Sequence, residues 1–286
     1  MFCGIFSFLS SEFCVLRSVL CVLCSAFWVL SSGCTTSPKV SSLNQVFASL
    51  PSSGPRQSPI LPTDNEQILR GNIGQYAVRT AANESYGMPG WSRNNGTRFH
   101  EGVDIQPVSW TESKYKMKVA CKDPVTGRLT SRLQNVRIPK DRIYAVLDGI
   151  VVITSTNPAR SGYGKYVMIE HAWSDGTPFL TLYAHLSSIH VKEGQSVSQG
   201  ALIGIMGQTA KDAASREYLR ANPHMHFEVG RLIDPDGSSF GNKYDPRNMQ
   251  PFQPIDFLER YNSISHREWA AKKSPRAPML ATVGVH

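Results

Sequence analysis

The strand patterns of the sequence predict an all-β fold, and its length and composition predict a sizeable core. Short apolar runs with strand-like alternation recur between Asp-Gly turns, at residues 143–153, 163–171 and 179–185. The chain has 286 residues, of which 41% are hydrophobic, which is enough for a sizeable core. We therefore expect a compact antiparallel β-sheet domain with a groove and short helices only in insertions, such as the helix-capable stretch at residues 209–220.

The first 34 residues differ in kind from the rest of the chain. An uncharged, mostly apolar run at residues 18–30 follows Arg17 and ends in Ser31-Ser32-Gly33-Cys34. This run is short for a bilayer span and typical of an export signal. Small residues before Cys34 indicate a lipoprotein processing site, with an ordinary cleavable signal as the alternative. We expect export to the cell envelope as a lipoprotein that faces the periplasm and is held to the membrane through lipidated Cys34.

Composition divides the remainder of the chain into three parts. Residues 35–87 are rich in Ser and Pro and predict a linker and N-terminal extension, with a short helix at Glu66–Arg70. Residues 88–258 hold the strand patterns, and residues 259–286 form a basic tail without core periodicity. The formal net charge of +8 favours anionic partners such as lipid headgroups or cell-wall polymers, and no nucleic-acid partner is expected. Only Cys121 follows Cys34, so the exported domain has no disulfide framework.

Two histidines stand two residues apart in a predicted strand at residues 221–229. Because strand side chains alternate between faces, His224 and His226 project to one side, while Met225 and Phe227 project to the core. One imidazole could bind a metal ion while the other reaches a group bound to that ion. For such a pair alone, an ordinary surface strand is the competing interpretation.

A second histidine element pairs His100 with Asp104. On a helix, residues four apart would form an ordinary ion pair. Gly102 and the preceding Asn94-Asn95-Gly96 instead favour a turn that leads into a strand at residues 103–105, so that both side chains converge on one point.

Together with His185, these segments resemble the lysostaphin/LytM-type zinc metallopeptidases. The resemblance covers residues 88–256 and rests on RFHEGVD at 98–104, YAVLDG at 144–149, YAHLS at 183–187 and PHMHFEV at 223–229. It implies that one Zn²⁺ is bound by His100, Asp104 and His226, and that His185 and His224 are catalytic. Two imidazoles and one carboxylate leave the fourth zinc position open, which is typical of catalytic rather than structural zinc.

The resemblance implies a zinc-dependent endopeptidase that hydrolyses peptide cross-links or stem peptides of bacterial peptidoglycan. The alternative is a non-hydrolytic LytM-type binding module that activates a cell-wall amidase, with that amidase or division proteins as partners. Members of that branch lose ligands, whereas all five His and Asp positions are present here. A third interpretation is a non-enzymatic carrier, because residues 191–204 space Gly and aliphatic residues as biotinyl/lipoyl domains do. No lysine is placed at the hairpin tip as such a carrier requires.

The sequence also gives expectations for the basic insertion and for several other titratable residues. Residues 109–140 form an irregular basic insertion with eight Lys or Arg against two acids, which either steers acidic stem peptides by charge or is a loop without substrate contact. Glu228 either orients a zinc ligand or is a surface carboxylate. Glu101 is expected to be exposed. Four histidines are expected to be surface residues without a role in the site: His171, His190, His266 and His286.

Overall fold

The computed structural model describes residues 45–261. The predicted signal peptide, Cys34 and the tail beyond residue 261 therefore lie outside the described residues. Within residues 45–261, no helix is both long enough and apolar enough to cross a membrane.

The described part contains 14 strands and three short α-helices, which confirms the mainly β class. The strands are β1 (Gly90–Arg93), β2 (Arg98–His100), β3 (Val103–Ile105), β4 (Trp110–Lys122), β5 (Leu129–Pro139), β6 (Arg142–Tyr144), β7 (Gly149–Ser155), β8 (Tyr166–Ala172), β9 (Pro178–Ala184), β10 (Leu186–Ile189), β11 (Ser196–Val197), β12 (Leu202–Met206), β13 (Met225–Leu232) and β14 (Met249–Phe252). The helices are α1 (Ile73–Tyr76), α2 (Ala213–Ala221) and α3 (Pro254–Tyr261), with a 3₁₀ helix at Glu66–Arg70. Because α3 closes the domain, short helices are not confined to insertions as expected.

A seven-stranded sheet forms the centre of the fold. Its strands lie in the order β11-β7-β8-β9-β13-β14, and β3 pairs with the first half of β13. A separate three-stranded sheet has the order β10-β12-β6. The large core on one face of β13 includes Phe227 and Val229, and a smaller cluster with Leu182 and Ala184 lies on the other face. Because both faces of β13 are covered, its residues 225–230 are all buried.

The N-terminal extension packs into the domain more closely than a linker would. Ile60 and Leu61 are buried, Ile68 belongs to the main core, and Thr63 forms a β-bridge with Ile143. The expectation of a Ser/Pro-rich tether therefore does not hold for residues 60–65. The sequence does not reveal this because isolated apolar residues between prolines show no periodicity.

The basic insertion is a long β-hairpin rather than an irregular loop. Strands β4 and β5 pair only with each other in the described structure, from Trp110 opposite Pro139 to Lys122 opposite Leu129. Lysines alternate with Met117 and Val119 along β4, which is the period-two pattern of a strand. One face of this strand is charged, however, and a strand that packs in a core has aliphatic residues at such positions. The sequence analysis therefore missed this strand.

Candidate metal centre and catalytic groove

The register of β13 assembles the site. His226 lies directly opposite Asp104 of β3 on one side and opposite Ala184 of β9 on the other. Directly opposite residues in a sheet share a face, so the imidazole and the carboxylate meet. His185 follows Ala184 immediately and therefore enters the same region from the end of β9.

His100 reaches this point because the chain turns sharply after β2. A Cβ atom at Gly102 would lie 2.4 Å from the Phe227 carbonyl oxygen and 2.7 Å from Cε1 of His226. Only glycine allows the backbone to pass so close to β13. The turn thus brings His100 against His226, and the predicted convergence of His100 and Asp104 is present in the structure.

The three predicted zinc ligands form a nearly equilateral triangle. His226 Nδ1 lies 3.0 Å from both His100 Nε2 and Asp104 Oδ1, and His100 Nε2 lies 3.1 Å from Asp104 Oδ1. Tetrahedral zinc with bonds of about 2.05 Å would separate its ligand atoms by roughly 3.3 Å. The donor set is thus chemically and dimensionally suited to zinc, and all three side chains are buried.

Asp104 remains ionised despite complete burial. Burial alone would raise its pKa, because it disfavours the charged form. The pKa of Asp104 is instead held well below its usual value by three neighbours, His224, His100 and Arg93. A buried carboxylate kept negative in this way is available as a metal ligand.

Glu228 fixes the orientation of the His226 ring. His226 Nε2 lies 2.6 Å from Glu228 Oε1, and the Tyr163 hydroxyl donates to the same oxygen at 2.8 Å. Although burial lowers the pKa of His226, its hydrogen bonds to Asp104 and Glu228 raise that pKa to about 9. Because carboxylates only accept, Nε2 donates to Glu228 and Nδ1 donates to Asp104, and a metal ion bound at Nδ1 would replace the proton there. Glu228 is therefore buried against His226 and is not a surface carboxylate.

We expect Glu228→Gln to weaken zinc binding by about 10- to 100-fold, the usual loss when the partner behind a metal ligand is mutated, because the neutral amide accepts a weaker hydrogen bond from His226 than the carboxylate does. Competition with a chromophoric chelator measures this affinity. Glu170→Gln is the matched control, because Glu170 also accepts from a tyrosine, Tyr244, at 3.0 Å, but lies on β8, which β9 separates from β13. Equal zinc affinity in the two variants would contradict the role of Glu228.

Both predicted catalytic histidines are held by the segment that contains α2. His185 Nδ1 lies 2.9 Å from the carbonyl oxygen of Thr209, before the helix, and His224 Nδ1 lies 2.7 Å from that of Asn222, after it. Because carbonyls only accept, both Nδ1 atoms carry the proton and both Nε2 atoms are free to accept one. The ring centroids of His185 and His224 are 5.0 Å apart. Burial, as the main cause, lowers the pKa of His185 to about 3 and that of His224 to about 4.

The backbone at His185 is strained. Its φ of 61° lies in the left-handed region, which costs a residue other than glycine about 1 to 3 kcal/mol. The His185 amide donates to the Tyr163 carbonyl at 2.9 Å, which helps to hold this conformation. Nearby Gly164, at φ 64°, allows the chain to pass Thr209, because a Cβ there would lie 2.2 Å from the Thr209 oxygen.

A groove of about 610 Å³ opens over these residues. Sequence reasoning missed two groups in its wall. Arg93 is buried and donates to Asp104 Oδ2, while its guanidinium stacks on Tyr86. The Tyr218 hydroxyl of α2 is buried close to the Arg93 guanidinium. No local pattern marks either residue, because only the pairing of β1 with β2 and the seating of α2 bring them to the site.

Two expectations about neighbouring residues need correction. Glu101 is half-buried in the groove wall rather than exposed, and burial raises its pKa. His171 is buried, with Nδ1 2.8 Å from the Asp148 carbonyl and Nε2 2.8 Å from Thr181 Oγ1. Both its nitrogens are engaged away from the histidine cluster, so the residue is structural. His266 and His286 lie outside the described residues.

The sequence of this chain is similar to a family model and to known proteins. Residues 134–241 match the model of Peptidase family M23, a range that contains three of the five predicted site residues. Peptidoglycan DD-endopeptidase ShyA of Vibrio cholerae is 39% identical over 87 residues, which are 30% of this chain and 17% of ShyA. Peptidoglycan DD-endopeptidase ShyB of the same organism is 29% identical over 150 residues, which are 51% of this chain and 31% of ShyB.

Among solved structures, the catalytic domain of the antimicrobial peptidase lysostaphin from Staphylococcus simulans aligns at a TM-score of 0.37 with 20% identity. That alignment covers 68% of this chain and 97% of the lysostaphin domain. The chain spans less than a third of the length of the two curated relatives.

Proposed function

We propose that this chain, which contains a Peptidase family M23 domain, is a zinc-dependent endopeptidase that hydrolyses peptide bonds in bacterial peptidoglycan. The observation that carries the proposal is the buried triangle of His100, Asp104 and His226, with two neutral histidines beside it at the floor of an open groove. The names of the two curated relatives support peptidoglycan as the substrate class.

The proposed ligands would hold one Zn²⁺ through two imidazole nitrogens and one carboxylate oxygen. Zinc there would supply Lewis acidity, which activates a water molecule for attack at neutral pH and polarises the scissile carbonyl. The protein contributes the fixed orientation of the ligands: Glu228 holds the ring of His226, and Arg93 binds the second oxygen of Asp104.

His185 and His224 perform the proton transfers in this proposal. Each presents an unprotonated Nε2 because its Nδ1 proton is bound to a backbone carbonyl. One ring can take the proton of the attacking water at Nε2 and then deliver that proton to the leaving amine, which returns the ring to its neutral form. The other ring can stabilise the developing oxyanion once its own Nε2 carries a proton. His224 Nε2 lies 3.4 Å from Asp104 Oδ2, so a positive charge formed on His224 would be stabilised by that carboxylate.

Digestion of purified peptidoglycan tests the proposed function. The zinc-loaded protein should release fragments whose masses show a hydrolysed stem or cross-link peptide and an intact glycan. A chelator should stop the release, and added zinc should restore it. If the zinc-loaded protein releases no fragments but accelerates a purified cell-wall amidase, the non-hydrolytic alternative is correct. Mass analysis of the products also identifies the bond that is cut.

We further propose that the protein is exported and anchored to the membrane through lipidated Cys34, which would place the groove next to the cell wall. In cells that express Cys34→Ser, the protein should move from the membrane fraction to the soluble exported fraction, because each buried acyl CH₂ contributes about 0.8 kcal/mol to membrane binding. Immunoblots of separated fractions measure the shift. Unchanged membrane association would instead indicate an uncleaved signal segment.

A further inference from the structure

We propose that the hairpin of β4 and β5 binds the surface of an anionic phospholipid bilayer. This basic hairpin comprises residues 109–140. The inference is independent of the peptidase activity, because it rests on the shape, charge and exposed apolar side chains of the hairpin alone.

The basic hairpin projects from a fixed base. Asp141 accepts hydrogen bonds from the amides of Val108 and Ser109 at 2.8 and 3.0 Å, and Gln208 donates to the Arg137 carbonyl at 2.7 Å. Beyond this base, β4 and β5 pair with no other strand of the described structure. A two-stranded ribbon alone is only marginally stable in water. Here β5 also contacts α2, while most residues of both strands remain exposed and open to another surface.

Positive charge in the described structure is concentrated on this element. Residues 45–261 contain 24 Lys or Arg against 20 Asp or Glu, and the basic hairpin alone contributes eight against two. The hairpin thus carries +6, while the rest of the described chain carries −2. Such an asymmetric distribution attracts one side of the domain to an anionic surface, whereas an even distribution would not orient it.

Exposed apolar side chains are concentrated on the same element. Of the twelve large hydrophobic residues exposed in residues 45–261, six lie in the basic hairpin: Trp110, Tyr115, Val125, Leu129, Leu133 and Ile138. Val125, at the hairpin tip, is 91% exposed, and it lies between Lys122 and Arg128. Apolar residues grouped in this way mark an interaction surface, unlike single exposed hydrophobic residues.

The register of the ribbon places the two kinds of residue on one face. Lys118 lies opposite Leu133, and Lys122 lies opposite Leu129, with Lys116 on the same side of β4. All five side chains are exposed. On the other face, Met117 and Val119 are half-buried. The outward face is therefore a mixed surface of lysines and leucines.

This mixture favours a bilayer over a soluble anionic polymer. Lysines bind headgroup phosphates while leucines enter the interface between headgroups and acyl chains. A polyanion such as an acidic glycopolymer would use the lysines but would leave the leucines and Val125 in water.

Vesicle cosedimentation tests the proposal with a shortened chain of residues 41–286, which removes the apolar N-terminal run. Every buried core residue in the described structure lies within residues 60–258, so the shortened chain keeps the core. It should bind vesicles of phosphatidylglycerol and phosphatidylcholine but not vesicles of phosphatidylcholine alone, and the binding should weaken as salt rises.

Two variants address charge and apolar contact separately. The triple variant Lys116→Glu, Lys118→Glu and Lys122→Glu should weaken binding by more than about tenfold, because each basic residue near an anionic surface adds to the affinity. Leu129→Ser with Leu133→Ser should weaken binding severalfold without changing the charge. Circular dichroism confirms that each variant unfolds at the wild-type temperature.

A matched triple variant keeps the test specific to the basic hairpin. Arg56→Glu, Arg160→Glu and Lys192→Glu make the same change of charge at exposed positions elsewhere and should leave most of the binding intact. An equal loss in both triple variants would overturn the proposal. It would also be overturned if the serine variant bound as the wild type does and soluble polyglutamate displaced the protein from vesicles, since the partner would then be an anionic polymer.

Discussion

Asp104→Ala is expected to reduce bound zinc to background and to abolish peptidoglycan hydrolysis, and His100→Ala and His226→Ala are expected to do the same. Asp104 is the anionic member of the proposed ligand triangle, and its two neighbours alone supply too few donors for a catalytic zinc site. Metal analysis of the purified proteins should therefore give close to one zinc per chain for the wild type and almost none for the variants.

The Asp104 variant also tests the charge balance of the site. Removal of the carboxylate leaves the buried Arg93 guanidinium without its anionic partner, and a broken buried ion pair typically costs about 3 to 5 kcal/mol. The thermal midpoint of the metal-free variant should fall accordingly. His190→Ala is the control, because the side chain of this exposed histidine bonds only to Ser188 among the described contacts. Full zinc occupancy in all three ligand variants would refute the assignment.

His185→Ala and His224→Ala should separate catalysis from metal binding. Each should retain about one zinc per chain while lowering kcat/KM for a peptide substrate by roughly 10² to 10⁴, the usual contribution of a general acid or base. The reason is that neither ring belongs to the ligand triangle, yet both present a free Nε2 beside it. Turnover and zinc content measured on the same preparations check both parts of the prediction.

The double variant adds a stricter test. If the two rings act in one proton-transfer sequence, the combined loss should be much smaller than the product of the single losses. Independent roles would instead give multiplicative losses. Wild-type turnover in either single variant would show that this histidine has only a structural role. Loss of zinc in either variant would show that the histidine is a metal ligand.

Much of the molecule follows from sequence alone because its signals are local. Alternating apolar residues between Asp-Gly turns predict the β class, since strand periodicity needs no distant contact. The shared side of His224 and His226 follows from the pleat of one strand. The turn around Gly102 likewise predicts the meeting of His100 and Asp104. These features are set within about ten residues of chain, where backbone geometry leaves few alternatives.

The tertiary structure alone decided how these local pieces combine. The register of β13 places His226 opposite Asp104 and beside His185, and a shift of one residue would turn His226 to the other face. Arg93 reaches Asp104 only because β1 pairs with β2, and no property of the residues around it marks that contact. The carbonyls of Thr209 and Asn222 bind His185 and His224. No sequence pattern marks which backbone carbonyl will accept such a hydrogen bond.

The structure of the basic insertion also could not be predicted from its sequence. Its lysines and leucines are visible in the sequence, but whether they form a mobile loop or one face of a ribbon depends on which strand β4 pairs with. Pairing is a contact between segments, and its stability depends on cross-strand neighbours that no single window of residues contains. The residue types at the site are thus determined locally, whereas their partners and their exposed surfaces are determined by long-range pairing.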